Sequence, residues 1–328
     1  MKRCPWALQA AAVAGTVAAL CAAPATAQML PSIAANLQVH YDFEHADANN
    51  AGLELDQGLS GTTGWLVNGG AAMRVSDGAW AGSSTSVQAG QMQGANNDWK
   101  IGVYDRLGVS TLGAFNGATS ISIMGFVKPT GQNPSLNTNT ASTTDFFNAV
   151  GLMGILTGNS NGHDVRALLE IIDVAGTLRL VALGRRVDGA GSRTFAASTP
   201  WQNLMPANEW THLAATFNFI DGTMALYRNG VPLAGVYTAA GNSWGSGTTS
   251  ATNPSGIKIG GSYPGNTSEQ NPFNGRFDEL MFLDRALSAQ EIAAQYAVFA
   301  PVPEPGTAGL MLLGAGALVW RRRHQKRG

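Results

Sequence analysis

Cysteine is almost absent from this sequence of 328 residues. The two cysteines, Cys4 and Cys21, both lie among the first 27 residues. The rest of the chain therefore has no disulfide bond, no cysteine-ligated zinc site and no cysteine nucleophile. A domain without such crosslinks must be stabilised by an extensive core, to which a bound ion could add stability.

Charged residues are also scarce, at 12% of the chain, with 20 basic and 21 acidic residues. Seven of the basic residues lie at the two ends, and the region between the ends carries 13 basic and 20 acidic residues, a net charge near −7. This sign argues against nucleic acid and anionic membrane surfaces as its ligands. The 41 glycines predict short strands joined by loops.

The first 27 residues have the three parts of a secretory signal peptide. A basic start is followed by an apolar run at 7–23 and then by Ala25-Thr26-Ala27, a small-residue cleavage site. A membrane anchor or a core helix is the alternative, but the run is mostly alanine and ends at Pro24. We expect a signal helix that is cleaved after Ala27. Leu20 does not suit the position before a lipoprotein cysteine.

The other end of the chain also has three parts. These are Pro303-Glu304-Pro305, an apolar stretch at 306–320, and the basic residues Arg321, Arg322, Arg323, Lys326 and Arg327. Their order resembles the PEP-CTERM sorting signal of Gram-negative bacteria, which an exosortase-type membrane protease recognises. Fifteen residues at about 1.5 Å each make a short C-terminal transmembrane helix, with its basic flank in the cytoplasm. An anchor that is never cleaved is the alternative.

Between these ends the sequence alternates like β-strands. In the first strand, 37–44, the alternation places these apolar side chains on one face: Leu37, Val39, Tyr41 and Phe43. His40 is expected on the opposite, exposed face. Further strands are predicted at 118–127, 148–156, 165–173, 178–183, 210–219, 223–227, 231–233, 257–259 and 276–283. Asp221-Gly222 and Asn229-Gly230 predict hairpin turns, whereas 47–97 predicts long loops with short strands and no helix.

One helix is predicted, at 288–298. Ser288 is suited to the N-cap and Glu291 to the capping-box position three residues later. Many short strands with tight turns and one late helix predict an all-β fold, a two-sheet antiparallel sandwich.

Two stretches of sequence resemble the laminin-G-like, concanavalin A-like jelly rolls. Residues 209–230 resemble the signature "W-x-H-L-A-x-T … L-Y-x-N-G", and residues 273–292 resemble the closing "F-x-G-x-I-D-E-v … R-A-L-S-x-x-E-I". The resemblance extends over about 37–296, with a poor match at 47–119, and implies a jelly-roll sandwich. We therefore predict a signal peptide at 1–27, a laminin-G-like domain at 28–300 and a sorting signal at 301–328. Trp210 and His212 are expected in the core.

No catalytic residues are predicted. The Glu-x-Asp-x-Glu pattern of glycan-hydrolysing sandwiches is missing. Glu170 and Asp173 fall on opposite faces of a strand, and Asp42 and Glu44 share a face as ordinary polar residues do. Two Gly-x-Ser-x-Gly matches, at 158–162 and 241–245, lack the helix that a nucleophile elbow needs.

The resemblance implies a calcium ion, because related sandwiches often hold one near the first and last strands. A hard cation prefers carboxylate and carbonyl oxygens. Asp278 is the first candidate ligand, with Asp42 and Glu44 next. The alternative is that Asp278 accepts backbone hydrogen bonds at a strand end.

Aromatic residues in loops are the candidates for ligand contact. Trp201, Trp244 and Tyr263 could stack on sugar rings, or each could pack its loop against the sandwich. We favour an exported module of the cell surface or extracellular matrix that binds glycan or protein. Its other partners would be the exosortase-type protease and the membrane. A glycan-active enzyme of the same fold and a purely structural biofilm protein are the alternatives.

Overall fold

The computed structural model describes residues 29–91, 98–104, 112–115, 117–130, 149–156, 165–185, 192–237, 256–260 and 273–299. The strands are β1 Leu37–Tyr41, β2 Ala46–Asp47, β3 Asn50–Leu55, β4 Thr63–Val67, β5 Arg74–Val75, β6 Ser86–Gln91, β7 Asp98–Tyr104, β8 Ser120–Pro129, β9 Ala149–Leu156, β10 Val165–Val174, β11 Thr177–Arg185, β12 Ser192–Pro200, β13 Thr211–Asn218, β14 Met224–Arg228, β15 Val231–Pro232, β16 Gly235–Tyr237, β17 Gly256–Ile259 and β18 Gly275–Leu283. The helices are α1 Pro31–Ala34, α2 Trp201–Leu204 and α3 Ala289–Phe299, with 3-10 turns at Gly70–Met73 and Gly113–Phe115.

The strands form two antiparallel sheets. Sheet A has the order β15, β14, β13, β8, β18, and the far edge of β18 pairs with both β1 and β6, beside which β5 lies. Sheet B has the order β16, β12, β11, β10, β9, β17, β7, β4, β3, β2. The predicted all-β, two-sheet sandwich is confirmed.

One core lies between the two sheets. Val39, Tyr41 and Phe43 of the first strand region point into it, where they meet apolar residues of both sheets. Leu37 does not join them, because a β-bulge between Leu37 and Val39 shifts the register against β18. The prediction that all four side chains share one face is therefore wrong for Leu37.

A second core covers the outer face of sheet A. Helix α3 and the short α1 pack there against the outward side chains of β8, β13 and β18, which include Phe126, Ala214 and Met281. His212 lies in this layer at 1% exposure, with its ring centroid 5.0 Å from that of Phe126. Burial lowers the pKa of His212 to about 3, so the imidazole is neutral. The prediction that His212 belongs to the core is confirmed, and Trp210 packs against the same layer.

The predicted turns and helix cap are also present. Gly222, Asn229 and Gly230 have positive φ angles of 71°, 50° and 77°, as tight hairpin turns require. The backbone N–H of Glu291 donates to the Ser288 hydroxyl at 3.2 Å, and the N–H of Ser288 donates to the Glu291 carboxylate at 2.9 Å. This reciprocal pair is the predicted capping box.

Some elements were not predicted. The segment 47–97 contains a 3-10 turn at Gly70–Met73, and β7, β12 and β16 had no assigned strand. The prediction of a single helix is wrong, because the structure also has the one-turn helices α1 and α2. Strand β12 has Phe195 as its single large apolar residue, so its sequence alternates weakly, and its pairing with β11 and β16 supplies the hydrogen bonds. None of the helices in the described part of the chain has the length and apolar character that a membrane crossing requires. The predicted signal peptide and the sorting segment lie outside the described residues.

Candidate functional site

A pocket of about 560 Å³ lies beside the paired first and last strands, β1 and β18. Its apolar lining includes Met29, Leu37, Leu59 and Trp80. Its polar lining consists of His40, Asp42, Glu44, His45, Gln57 and Glu279. The volume lies within the range of small-molecule sites in proteins.

One wall of the pocket is the loop at 57–59, which packs tightly on β1. The N–H of Gln57 donates to the carbonyl of His40 at 2.9 Å. A Cβ at Gly58 would lie 2.7 Å from the carbonyl oxygen of Gln38, so this close approach requires glycine. The loop also covers β1, and His40 is therefore 8% exposed rather than on an exposed face as predicted.

A bulge in β18 positions two acidic residues next to the pocket. The register against β8 shifts between Asp278 and Met281, and Glu279 adopts a positive φ of 51°. Such a φ is uncommon outside glycine. Both acidic side chains are buried, at 0% and 3% exposure. The bulge thus places two adjacent carboxyl groups in the gap between β1 and β6, which pair with the two halves of β18 on the same side.

Glu279 joins three parts of the chain. Its Oε2 lies 2.8 Å from Nε2 of His40, and its Oε1 accepts a hydrogen bond from the Trp80 indole N–H at 2.8 Å. Burial acts to lower the pKa of His40, but the hydrogen bond and charge of Glu279 outweigh it and raise the pKa above its usual value. The contact is therefore a buried hydrogen bond between β1 and β18, and it is an ion pair when His40 is protonated.

Asp278 holds a neighbouring loop against β18. Its Oδ2 accepts hydrogen bonds from the Ala79 N–H at 2.8 Å and the Ser83 hydroxyl at 2.7 Å, and its Oδ1 accepts one from the Glu279 N–H at 2.9 Å. Burial, with the negative charge of Glu279, raises its pKa well above the usual value. Asp278 therefore accepts backbone and side-chain hydrogen bonds, the role that the sequence left open beside calcium binding.

Glu44 binds the same loop from the other side. Its carboxylate accepts hydrogen bonds from the N–H groups of Ser84 and Thr85, both at 2.6 Å. The Ser83 hydroxyl lies between Glu44 and Asp278, 3.3 and 2.7 Å from their oxygens. Asp42 lies next to Glu44, and the Oδ1 of Asp42 accepts a hydrogen bond from the Glu44 N–H at 3.1 Å. The three predicted calcium ligands are thus linked through Ser83 and the Glu44 N–H, but among the described residues their oxygens do not form a group of ligand atoms within 4.8 Å of one another.

A further cluster was not predicted from the sequence. Asp42, His45 and Glu54 each place one ligand atom within 4.8 Å of the others. Glu54 is fully buried and its Oε2 lies 2.6 Å from Arg74. Burial outweighs that cation and raises the pKa of Glu54 to about 7. Nothing in the sequence around Glu54 marked it, because its partner Arg74 lies 20 residues further along the chain.

The Asp42 and Glu54 carboxyls lie about as close together as the paired acids of retaining glycosidases, which are about 5 Å apart. However, Glu54 has no exposed surface and faces a guanidinium group. A glycosidic oxygen cannot reach it in this arrangement. The pair is therefore a structural element of the β3 region.

Of the three aromatic residues predicted to contact a ligand, the structure describes one. Trp201 is 2% exposed and belongs to the core between the sheets, so its ring is not available to a sugar. It packs its segment against the sandwich, which was the alternative interpretation. Trp244 and Tyr263 lie outside the described residues, as do both Gly-x-Ser-x-Gly matches. The sorting residues Pro303, Glu304, Pro305, Arg321, Arg322 and Arg323 also lie outside them.

Comparison with solved structures shows the same kind of fold. The binding domain of botulinum neurotoxin DC, in complex with SialylT, matches with a TM-score of 0.50 and 11% identity, over 81% of this chain and 52% of that one. The binding domain of Paraclostridial Mosquitocidal Protein 1 matches at 0.49 and 17% identity, over 80% and 52%. The chain thus spans about half the length of these structures, and the likeness concerns the fold alone. No curated protein matches the chain.

Two family models match the sequence. The PEP-CTERM protein-sorting motif matches residues 301–323, which indicates export, C-terminal sorting at the membrane and processing by an exosortase. The laminin-G model of the concanavalin A-like lectin/glucanases superfamily matches residues 102–293, more than half of the chain. Together with the two-sheet sandwich, this match shows that the chain belongs to the concanavalin A-like lectin/glucanases superfamily.

Proposed function

We propose that this protein is an exported, non-catalytic binding module of the bacterial cell surface or extracellular matrix, which recognises an extracellular glycan through the pocket beside β1 and β18. The observation that carries the proposal is the fixed aromatic wall of that pocket. The Trp80 indole is held by Glu279 at one edge and packs edge-on against Phe299, with ring centroids 5.6 Å apart. Such a pre-oriented ring loses little entropy when a ligand binds.

The remaining pocket walls are equally well fixed. Asp278 and Glu44 hold the loop at 79–85 from two sides, and the loop at 57–59 is bonded to β1. A ligand therefore meets a preformed cavity with apolar and hydrogen-bonding surfaces, which is the usual character of a binding site. This argues for a binding role over a purely structural one.

The carboxyl groups around the pocket support a non-catalytic role. Asp278 and Glu44 accept hydrogen bonds that hold a loop, Glu279 pairs with His40, and Glu54 has no exposed surface. A glycoside hydrolase needs a general acid and a second carboxylate that both reach the scissile bond. We therefore propose that the protein retains glycans without cleaving them.

The proposed location follows from the sorting motif. The domain is exported, the C-terminal segment holds it in the membrane until an exosortase-type protease acts, and the processed protein remains at the surface or in the matrix. Retention there by a glycan requires no further anchor. A Gram-negative host is part of this proposal.

Calcium is proposed as a stabilising ion next to the pocket. The donor chemistry of Asp42 and Glu44 fits a hard cation. In each carboxylate one oxygen has a single hydrogen-bond partner. Asp42 Oδ2 contacts His45, and Glu44 Oε2 accepts from the Ser84 hydroxyl. Asp278 is fully buried, so we assign calcium to the more accessible Asp42 and Glu44.

The test of the function is retention of the processed protein on polysaccharide purified from the producing cells. Leu59→Arg is the test variant, because Leu59 lines the pocket yet is 63% exposed, so the fold tolerates the change. Val236→Arg is the matched control, since Val236 is 56% exposed on β16, at the edge of the other sheet. We expect retention to be lost in the first variant alone, with no release of reducing sugar by the native protein. Equal retention of both variants, or steady sugar release, contradicts the proposal.

A further inference from the structure

The pocket has a distinctive charge pattern. Asp42, Glu44 and Glu279 contribute carboxylates to its lining, and the described lining residues include no lysine or arginine. Glu279 is paired with His40 and Asp42 with His45, whereas Glu44 is exposed and has no histidine, lysine or arginine partner among the described residues. The region between the two end segments also carries a net charge near −7. A site with these charges favours a cationic group over an anionic one.

His40 provides a second, independent observation. Its side chain lines the pocket at 8% exposure, and its Nε2 is held by Glu279. Its Nδ1 has no hydrogen-bond partner among the residues that the structure describes. This nitrogen is not fully buried. A ligand hydroxyl can bond to it in either protonation state of the ring, because a hydroxyl both donates and accepts.

The third feature of the pocket is its apolar surface, which Trp80, Leu37 and Leu59 supply. The indole edge is fixed by Glu279, and Leu37 and Leu59 add apolar surface nearby. An aromatic ring with fixed orientation suits a ligand with a flat, weakly polar face, and it also attracts a cation. The ligand that combines such a face with hydroxyl groups and a positive charge is a sugar that carries a free amine.

We propose that this pocket binds an amino sugar with a free, protonated amine, as in a polysaccharide that has lost its N-acetyl groups. The sugar ring lies against Trp80, a hydroxyl group bonds to His40 Nδ1, and the ammonium group takes the place beside Asp42 and Glu44 that is proposed for calcium. The two cations therefore compete, and sugar binding is measured in EGTA. This inference rests on the proposed glycan-binding function and names the chemical class of the glycan. A lysine side chain shares the ammonium group but has no hydroxyl group for His40.

The experiment is calorimetric titration of the processed protein with three trisaccharides: of glucosamine, of N-acetylglucosamine and of glucose. A lysine tripeptide serves as the fourth ligand. We expect the glucosamine trisaccharide to bind about fivefold more tightly than its acetylated form, because one charge pair near the surface contributes about 1 kcal/mol. The preference for the free amine should weaken at high salt. It should disappear when the pH is raised above the pKa of the sugar amine, because the amine then loses its charge.

Variants connect the preference to the pocket. Asp42→Asn keeps an oxygen for the N–H of Glu44 but removes the charge, so it should reduce the preference for the amine without abolishing sugar binding. Leu59→Arg should abolish both, and Val236→Arg should change neither. Unchanged melting temperatures exclude a folding defect as the cause.

Each other outcome identifies what has failed. If the acetylated sugar binds as tightly as the amine and Leu59→Arg abolishes both, glycan binding stands and the amino-sugar inference is overturned. If the lysine peptide binds more tightly than any sugar, the pocket recognises a protein ammonium group, and this also overturns the inference. If none of the trisaccharides binds and the protein is not retained on cell polysaccharide, the proposed function fails as well.

Discussion

His40 and Glu279 form an ion pair at 2.8 Å that connects the first strand to the last across 239 residues of sequence. Both side chains are nearly buried, at 8% and 3% exposure. Glu279 also holds the Trp80 indole, so one carboxylate links the closing strands of sheet A to the wall of the pocket. This relationship leads to the first of four predictions.

Replacing Glu279 with glutamine should destabilise the fold and shift the titration of His40. The amide still accepts the hydrogen bond from Trp80, but His40 loses its counter-charge, and breaking a buried ion pair costs about 3 kcal/mol. The His40 pKa, raised by Glu279 in the native protein, should then fall. Denaturant unfolding measures the first effect and NMR titration of the imidazole the second. A His40 pKa that is unchanged by the substitution contradicts the ion-pair assignment.

Acid should destabilise the protein through His212. Burial lowers the pKa of His212 to about 3, below the unfolded value of 6.5, so the unfolded state binds the extra proton. Stability is therefore lost as the pH falls from about 6.5 towards 3, by up to about 1.4 kcal/mol per pH unit for one group. His212→Leu should flatten this part of the profile of unfolding free energy against pH. Asn218→Leu, in the same strand, serves as the control; an equally steep acid limb in His212→Leu counts against the assignment.

The capping box should contribute measurably to stability. Ser288→Ala removes the acceptor for the Glu291 N–H and should cost about 1 kcal/mol. The control is Gln290→Ala, because Gln290 is exposed in the same helix and makes no described contribution to the cap. Thermal melting of both variants measures this difference. Equal melting temperatures for Ser288→Ala and Gln290→Ala would show that the cap does not contribute to stability.

Calcium should raise the melting temperature of the processed protein by several degrees relative to EGTA. A ligand that binds only the native state stabilises it in proportion to the logarithm of its concentration over Kd. Asp42→Asn should reduce the shift, whereas Asp221→Asn, in an exposed hairpin turn, should leave it unchanged. Melting curves that coincide with and without calcium remove the ion from the proposal and leave Asp42 as a partner of His45.

Local sequence patterns predicted much of the secondary structure. The alternation around Phe217 and Leu226, the turns at Gly222 and Gly230, and the Ser288 cap all depend on residues a few positions apart. The predictions that failed depended on distant contacts. His40 was expected at the surface because alternation cannot anticipate that Gln57, Gly58 and Trp80 would cover it. Trp201 lay in a segment without marked periodicity, so its burial was equally invisible.

The sequence by itself determined the tight turns, the late helix and the C-terminal sorting motif, since each depends on local periodicity or on a contiguous motif. It also determined that no disulfide could stabilise the domain. The tertiary structure alone decided the order of the sheets, the bulge at Glu279 and the pocket, because these arise where segments far apart in the chain pack together. A carboxylate such as Glu279 acquires its role only when the fold removes water from it and brings His40 and Trp80 within hydrogen-bonding distance.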